Sequence, residues 1–355
     1  MQTPTSDTPH LLAISDLHVG YEANRALVER MRPGNDGDWL ILAGDVAERV
    51  DDVLWAIRTL KQHFGTVVWT PGNHELWTHP ADPVTLRGEA RYLHLVEELR
   101  GLGVHTPEDP YPLWETPEGP VAVCPMALLY DYTWRDGTPG ATTKEEALAQ
   151  SRELGVVCTD EAMLHPDPLP GIDDWCRARV AATAERLSAL GPDLPTVLVN
   201  HWPLHRDPTA VLRYPSFALW CGTELTEDWH IRYHATEVVY GHLHIPRVIW
   251  RDGVRFTEVS LGYPREWGAR PPDPRGRAGS FPDGRGPAGD RAPRAARGAH
   301  PRRLRRRTRP RPPPPGGGGS RRAGRPQARQ RVPRRPCLRP GGALPAGARA
   351  RRHPA

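Results

Sequence analysis

The sequence predicts an α/β protein in which two packed β-sheets are flanked by helices, followed by a tail that does not fold. Three observations carry this expectation. Short apolar runs alternate with amphipathic stretches, each run closes on a small cluster of Asp, Asn or His, and composition breaks at Gly268. Residues 268–355 include 25 Arg, 18 Pro and 15 Gly but no Lys, Glu or Trp. So little apolar surface cannot offset the chain entropy lost on ordering, so a disordered tail is expected there and a folded body over residues 1–267. The formal net charge of +5 hides the same division, because the body carries −17 and the tail +22. The part that folds is therefore acidic.

In chain order, residues 10–15 (HLLAIS), 39–43 (WLILA) and 66–70 (TVVWT) read as short buried strands. Between them, residues 24–31 and 51–64 read as helices, the second through Val53, Leu54, Ile57, Leu60 and Phe64. Strands separated by helices are βαβ units with parallel pairing. Residues 87–100 continue as a helix that Gly101 stops. The region 106–171 is rich in Pro and offers a strand at 121–129 and a helix at 144–154. Residues 173–190 form a longer helix, with Asp173 or Asp174 as its cap and Gly191-Pro192 as its end. Four strands follow at 196–200, 237–240, 247–250 and 254–259, the last two joined by an Asp252-Gly253 hairpin turn. One sheet is thus rich in parallel pairs and the other ends in antiparallel hairpins.

Several classes drop out. No run approaches the 18 or so apolar residues of a membrane span. The polar start, residues 1–10, lacks the basic and apolar regions of a signal peptide. Five cysteines without a CxxC pair support neither a disulfide framework nor a zinc finger, which suits a reduced, cytoplasmic compartment.

The chemistry sits where the strands end. Asp16-Leu17-His18 follows the first, Gly44-Asp45 the second and Gly72-Asn73-His74-Glu75 the third; His201 follows TVLVN, and Gly241-His242-Leu243-His244 follows EVVY. In extended chain, residues i and i+2 face one side, so Asp16 with His18, and His242 with His244, present paired ligands. Ligand sites of open α/β sheets gather beyond the carboxyl ends of strands, so the five ends converge. Asp16, His18, Asp45, Asn73, His201, His242 and His244 are more N/O donors than one ion needs. They suit two divalent metals (manganese, iron or zinc) about 3.5–4 Å apart that activate water for attack at a phosphate ester.

The ordered set DxH, GDxxxR, GNHE, NH and GHxH resembles the calcineurin-like metallophosphoesterases over residues 11–262. That resemblance implies a four-layer fold of two packed mixed sheets flanked by helices. It also implies that Asp16, His18, Asp45 and His244 hold one metal, and that Asp45 bridges to a second held by Asn73, His201 and His242. His74 is then the general acid or the electrostatic partner at the leaving oxygen. Relatives carry GDxxDRG where this chain has Gly44-Asp45-Val46-Ala47-Glu48-Arg49-Val50, so Glu48 stands where an Asp orients the catalytic His and Arg49 where an Arg grips phosphate. The segments GPVAVCPMALLYDYTWRDG, VVCTDE, SFALWCGT and VSLGYPREW are similar to an actinobacterial subgroup that includes a 4′-phosphopantetheinyl hydrolase. The resemblance implies holo acyl carrier protein as a partner; that protein is acidic like this body and needs a local basic patch, for which Arg206, Arg213, Arg247 and Arg265, near the predicted site loops, are the candidates.

Outside the motifs, Trp77 and Trp202 are candidates for walls of the site, Asp131 and Tyr132 for a loop shaping access, and His205 and Cys221 read as bystanders. A phosphoesterase leads; a non-catalytic, metal-stabilised scaffold that binds a phosphoprotein and a nuclease directed by the tail stay open as alternatives. The tail itself reads either as a nucleic-acid tether, with six arginines in residues 302–309, or as a product of a shifted reading frame, which its composition favours.

Overall fold

The computed structural model describes residues 9–268, which belong to one compact unit. The tail expectation, from residue 269 on, lies outside the described residues. Three strands, β1 (Leu11–Ile14), β2 (Trp39–Ala43) and β3 (Thr66–Thr70), pair in parallel in the order β1-β2-β3, with α1 (Glu22–Val28) and α2 (Val50–Lys61) as crossovers. A single turn, α3 (Asn73–Leu76), and a longer helix, α4 (Gly88–Gly101), follow.

The second sheet is built from β4 (Leu113–Thr116), β5 (Gly119–Pro125), β6 (Thr196–Val199), β7 (Ala235–Tyr240), β8 (Val248–Arg251) and β9 (Val254–Glu258). Its order is β4-β5-β6-β7-β9-β8, with four parallel strands at the centre and an antiparallel hairpin at each edge. Asp252 (φ 50°) and Gly253 (φ 82°) turn the second hairpin, both in the left-handed region that a tight two-residue loop requires. The helices α5 (Lys144–Glu153), α6 (Asp160–Met163), α7 (Ile172–Ser188), α8 (Trp229–Arg232) and α9 (Pro264–Trp267) complete the chain. Thus the smaller sheet is wholly parallel and the larger one mixed.

Strand alternation explains how the sheets stack. Ala13, Ile41, Ala43 and Val68 on one face of the first sheet meet Val123, Val197, Val199 and Val239 of the second. These residues are small or β-branched, so the two sheets approach closely. The opposite faces, with Leu40, Leu42, Trp69, Cys124, Leu198 and Tyr240, pack in the larger core with the helices.

Three local expectations are corrected. The α4 helix runs through Gly101, and Gly103 (φ 69°) follows in the left-handed conformation that turns the chain away. Neither Asp173 nor Asp174 caps α7; its N-cap is Gly171, and Asp173 instead pairs with Lys144 and Arg177. The strand expected over 121–129 ends at Pro125, beyond which Leu128 N–H donates to the Asn200 side chain rather than to a ladder.

Candidate metal centre

The strand ends of both sheets are joined on one side of the molecule. Ser15 forms a parallel bridge to Ser260, beyond β9, and the Asp16 and His18 N–H groups donate to the carbonyls of Gly44 and Asp45. Gly241 N–H donates to His201 C=O, and Gly262 N–H to Asp16 C=O. Backbone bonds therefore stitch together loops far apart in sequence. Asp16, His18, Asp45, His242 and His244 all have positive φ, between 42° and 71°. The expectation that i and i+2 pair by extended geometry is thus corrected: each of these residues sits in a left-handed turn after its strand, which swings the side chain inward. Such conformations strain non-glycine residues and collect at functional sites.

The seven expected donors converge, all of them buried except His244, which is partly exposed. His244 Nε2 lies 3.0 Å from Asp16 Oδ1 and 3.3 Å from His18 Nε2, and His18 Nε2 is 4.0 Å from Asp45 Oδ2. On the other side of Asp45, His201 Nε2 is 3.3 Å from Asp45 Oδ2 and 3.2 Å from Asn73 Oδ1, and His242 Nδ1 is 3.2 Å from that same amide oxygen. Asp45 thus stands between two groups of donors.

The hydrogen bonds behind these atoms test whether metals fit. His201 Nδ1 faces the Ala43 carbonyl at 2.9 Å, and His244 Nδ1 faces the Glu266 carboxylate at 2.7 Å. Each partner is an acceptor, so each Nδ1 carries a hydrogen and, in the neutral ring, each Nε2 turns a lone pair toward the cluster. There it meets acceptor oxygens of Asp45 and Asn73, or of Asp16. Lone pairs aimed at one another need positive charge between them, and two cations meet that need. With no cation there, a proton on each Nε2 supplies that charge, and metal binding displaces it. Burial disfavours a charged His201, yet Asp45 overcomes it and raises the pKa to about 9; Asp16, helped by Glu266, lifts His244 to about 10 against the same burial. His242, buried beside His201, is pushed down to about 3 and stays a neutral donor.

His74 borders this cluster. Its Nδ1 lies 2.9 Å from Glu48 Oε1 and its Nε2 3.7 Å from Asp45 Oδ2. Burial opposes a charged ring, but Asp45 and Glu48 win and raise its pKa. The longer side chain of Glu48 therefore reaches His74. Trp77 packs on the His74 ring at 3.7 Å between centroids, and Trp202 touches both His201 and His242. Both tryptophans wall the site.

Some expectations do not hold. Arg206 is paired with Glu227, Glu224 and Asp136, which offsets its charge, whereas Arg247 donates to the Pro208 carbonyl and keeps its charge. Arg213 and Arg265 lie exposed over the Tyr214 and Tyr263 rings. Asp131 is buried and accepts from Thr133 and Thr223, so it holds a loop rather than facing substrate, and Tyr132 is likewise buried, donating to Glu161. His205 accepts from the Asp207 N–H, away from the cluster, and burial pushes the Cys221 thiol well up, as befits bystanders. Arg49 Nε is buried with no hydrogen-bond partner among the described residues.

Other residues of the site went unassigned in the sequence. Glu75 accepts from the N–H groups of Asp45, Val46 and Gly72, tying two strand-end loops together; its place in the GNHE motif was the available signal. Tyr263 stacks on His18 at 4.6 Å, and Asp160 accepts from Asn73 and Trp77. These two, with Glu266, lie within the segments YPREW and VCTDE, whose spacing alone gives no chemical role.

Residues 9–246 match the calcineurin-like phosphoesterase family. The [acyl-carrier-protein] phosphodiesterase PptH of Mycobacterium tuberculosis is 53% identical over 264 residues, 74% of this chain and 81% of that protein. The crystal structure of phosphopantetheinyl hydrolase (PptH) from Mycobacterium tuberculosis aligns with a TM-score of 0.72 at 52% identity, over 75% of this chain and 97% of that one. The family uses a dimetal centre, and groups of side chains able to hold metal occur here at Asp16, His18 and His244, at His18, Asp45 and His74, and at Asp16, Asp45 and His201. With two sheets of this topology, their strand ends armed in the family's order, and a match over most of the described residues, the chain belongs to the calcineurin-like phosphoesterases.

Proposed function

We propose that the domain of residues 1–267 hydrolyses the phosphodiester joining 4′-phosphopantetheine to a serine of acyl carrier protein. Asp16, His18, Asp45 and His244 hold one divalent ion; Asp45, Asn73, His201 and His242 hold the other. Manganese, iron and zinc all accept this mixed N/O donor set. When bound, such a pair supplies Lewis acidity to the phosphoryl oxygens and an activated water at neutral pH. His74 holds a proton on Nε2 for the departing seryl oxygen, while Glu48 accepts from Nδ1–H and fixes the ring. Arg49, next to Glu48 at the start of α2, is the guanidinium assigned to the phosphate.

The observation that carries the metal assignment is the facing of His201 Nε2 onto two acceptor oxygens, Asp45 Oδ2 and Asn73 Oδ1. The choice of substrate is supported by the similarity to PptH over most of the chain. Because Glu48 reaches His74, the case for a non-catalytic scaffold loses its main ground. Among the described residues Cys124, Cys158, Cys176 and Cys221 are free and buried, which suits a reducing compartment.

The test is metal analysis of the purified chain with a substrate panel. Two equivalents of divalent metal, cleavage of an aryl phosphodiester with added manganese, and release of 4′-phosphopantetheine from holo acyl carrier protein are expected. Absence of turnover with manganese, iron and zinc alike overturns the reaction. Turnover of the aryl diester without attack on the carrier protein overturns only the substrate.

A further inference from the structure

An amide that ligates a metal must present its oxygen, yet the two ends of an asparagine side chain have nearly the same shape. What decides which end faces inward is the partner of the other end. Here Asn73 Nδ2 donates to Asp160 Oδ1 at 2.9 Å, leaving Asn73 Oδ1 to face His201 and His242. A carboxylate accepts and cannot donate when ionised, so the reversed amide would set oxygen against oxygen. Asp160 therefore selects the orientation that a metal needs.

The same carboxylate oxygen accepts a second hydrogen bond, from Trp77 Nε1 at 2.7 Å. Asn73 and Trp77 are the first residue of α3 and the residue that ends it. One oxygen thus clamps both ends of the turn that carries His74, whose ring Trp77 covers. The clamp comes from a distant part of the chain, held by its own backbone bonds: Leu164 bridges Trp77, and Thr78 N–H donates to Met163 C=O at 2.9 Å. Asp160 is 1% exposed, and the buried Tyr130 hydroxyl also interacts with its carboxylate. Burying a carboxyl is costly even when it is hydrogen-bonded, so it is a poor device for stability alone. Its geometry is that of a positioning group.

We propose that Asp160 is a positioning residue for the second metal and for His74, acting through Asn73 and Trp77 and touching neither substrate nor ion. The proposal rests on the two-metal reading above, so its test includes that reading as a separate control. The full chain, stripped of metal, is titrated with manganese by calorimetry and its metal-free melting temperature recorded. The parent protein is expected to bind two ions; fewer than two defeats the two-metal reading whatever Asp160 does. Asp160→Ala is expected to bind the first ion as before and the second about 10- to 100-fold more weakly, the usual effect of removing an outer partner. Asp160→Asn, whose amide oxygen still accepts from both Asn73 and Trp77, is expected to recover most of that loss. Should Asp160→Ala not fold, Asp160→Ser, which accepts with one hydroxyl, serves in the same comparison. Unchanged affinity for both ions in the Ala or Ser variant overturns the proposal. So does equal weakening of both ions, which marks a general structural defect. With an aryl phosphodiester at saturating manganese, kcat is expected to fall while KM stays near the parent value. An unchanged kcat overturns the part of the proposal that concerns His74.

Discussion

At the residue scale, His74 has two carboxylate neighbours with different tasks. Glu48 holds Nδ1 at 2.9 Å, and Asp45 lies 3.7 Å from Nε2 while also facing His201 and His18. Removing the imidazole should spare the metals and remove proton delivery. His74→Ala is thus expected to lower kcat about 10²- to 10⁴-fold with metal content unchanged by elemental analysis. Asp45→Asn takes charge from both metal positions, so loss of bound metal should accompany loss of rate. Glu48→Gln keeps a hydrogen-bond acceptor for the ring but removes the charge that favours the imidazolium. Its kcat should fall between those of the parent and His74→Ala, with the acid form of His74 titrating at lower pH in the rate profile, since Glu48 helps to raise that pKa.

At the element scale, the site depends on how closely strand-end loops approach. Gly44 has φ 88°, and a Cβ there would lie 2.6 Å from His201 Nδ1 and 2.7 Å from Gly72 N. Gly44→Ala therefore strains the backbone and displaces a ligand's imidazole at once. It is expected to reduce metal content and to destabilise the fold by about 1–3 kcal/mol in denaturant titration. A second dependence runs through α4. The buried Arg91 guanidinium donates to the carbonyls of Glu75, Glu48 and Val84 and pairs with Asp82 at 2.8 Å, so one charge joins the loops after β2 and β3 to the helix. Removing its counter-charge leaves a buried cation unpaired. Asp82→Ala should cost about 3–5 kcal/mol, while Arg91 and Asp82 replaced together by apolar residues should cost less than the sum of the single changes.

At the scale of the whole molecule, every residue assigned to the site lies within 9–268. Deleting residues 269–355 is therefore expected to leave metal content and aryl diester turnover unchanged. Any nucleic-acid retention should vanish with that deletion, because the acidic body has no basic stripe of its own; retention that survives it would place the nucleic-acid surface in the body. Acid stability is a property of the joined layers. Glu108 accepts from Tyr92 of α4 at 2.5 Å and from Arg179 of α7 at 2.5 Å. Burial tends to raise its pKa, but Arg179 and the Tyr92 hydroxyl hold it below the ordinary 4.5. A carboxyl whose folded pKa is depressed stabilises fully above the unfolded value, and the effect is lost as pH falls through the folded one. The parent's advantage in melting temperature over Glu108→Gln should be constant above pH 4.5 and shrink below it.

Much of this was legible because it is local. The apolar runs named β1 to β3, the Asp-Gly turn and the donors at the strand ends are properties of a few adjacent residues, and strand period and turn chemistry act at that range. The seven donors were legible as a set because each follows its own strand. The left-handed backbone at Asp16, His18, Asp45, His242 and His244 was not, since it is imposed by loops that meet only when β1 is bridged to the chain beyond β9. For the same reason Glu266 behind His244, Tyr263 on His18 and Asp160 behind Asn73 carried no sign of their roles, and Arg206 looked free until its three acidic partners were brought beside it. The sequence by itself determined which elements form and which atoms are able to bind metal. Only the tertiary structure decided which way each donor faces, because orientation is set by hydrogen bonds between residues far apart along the chain.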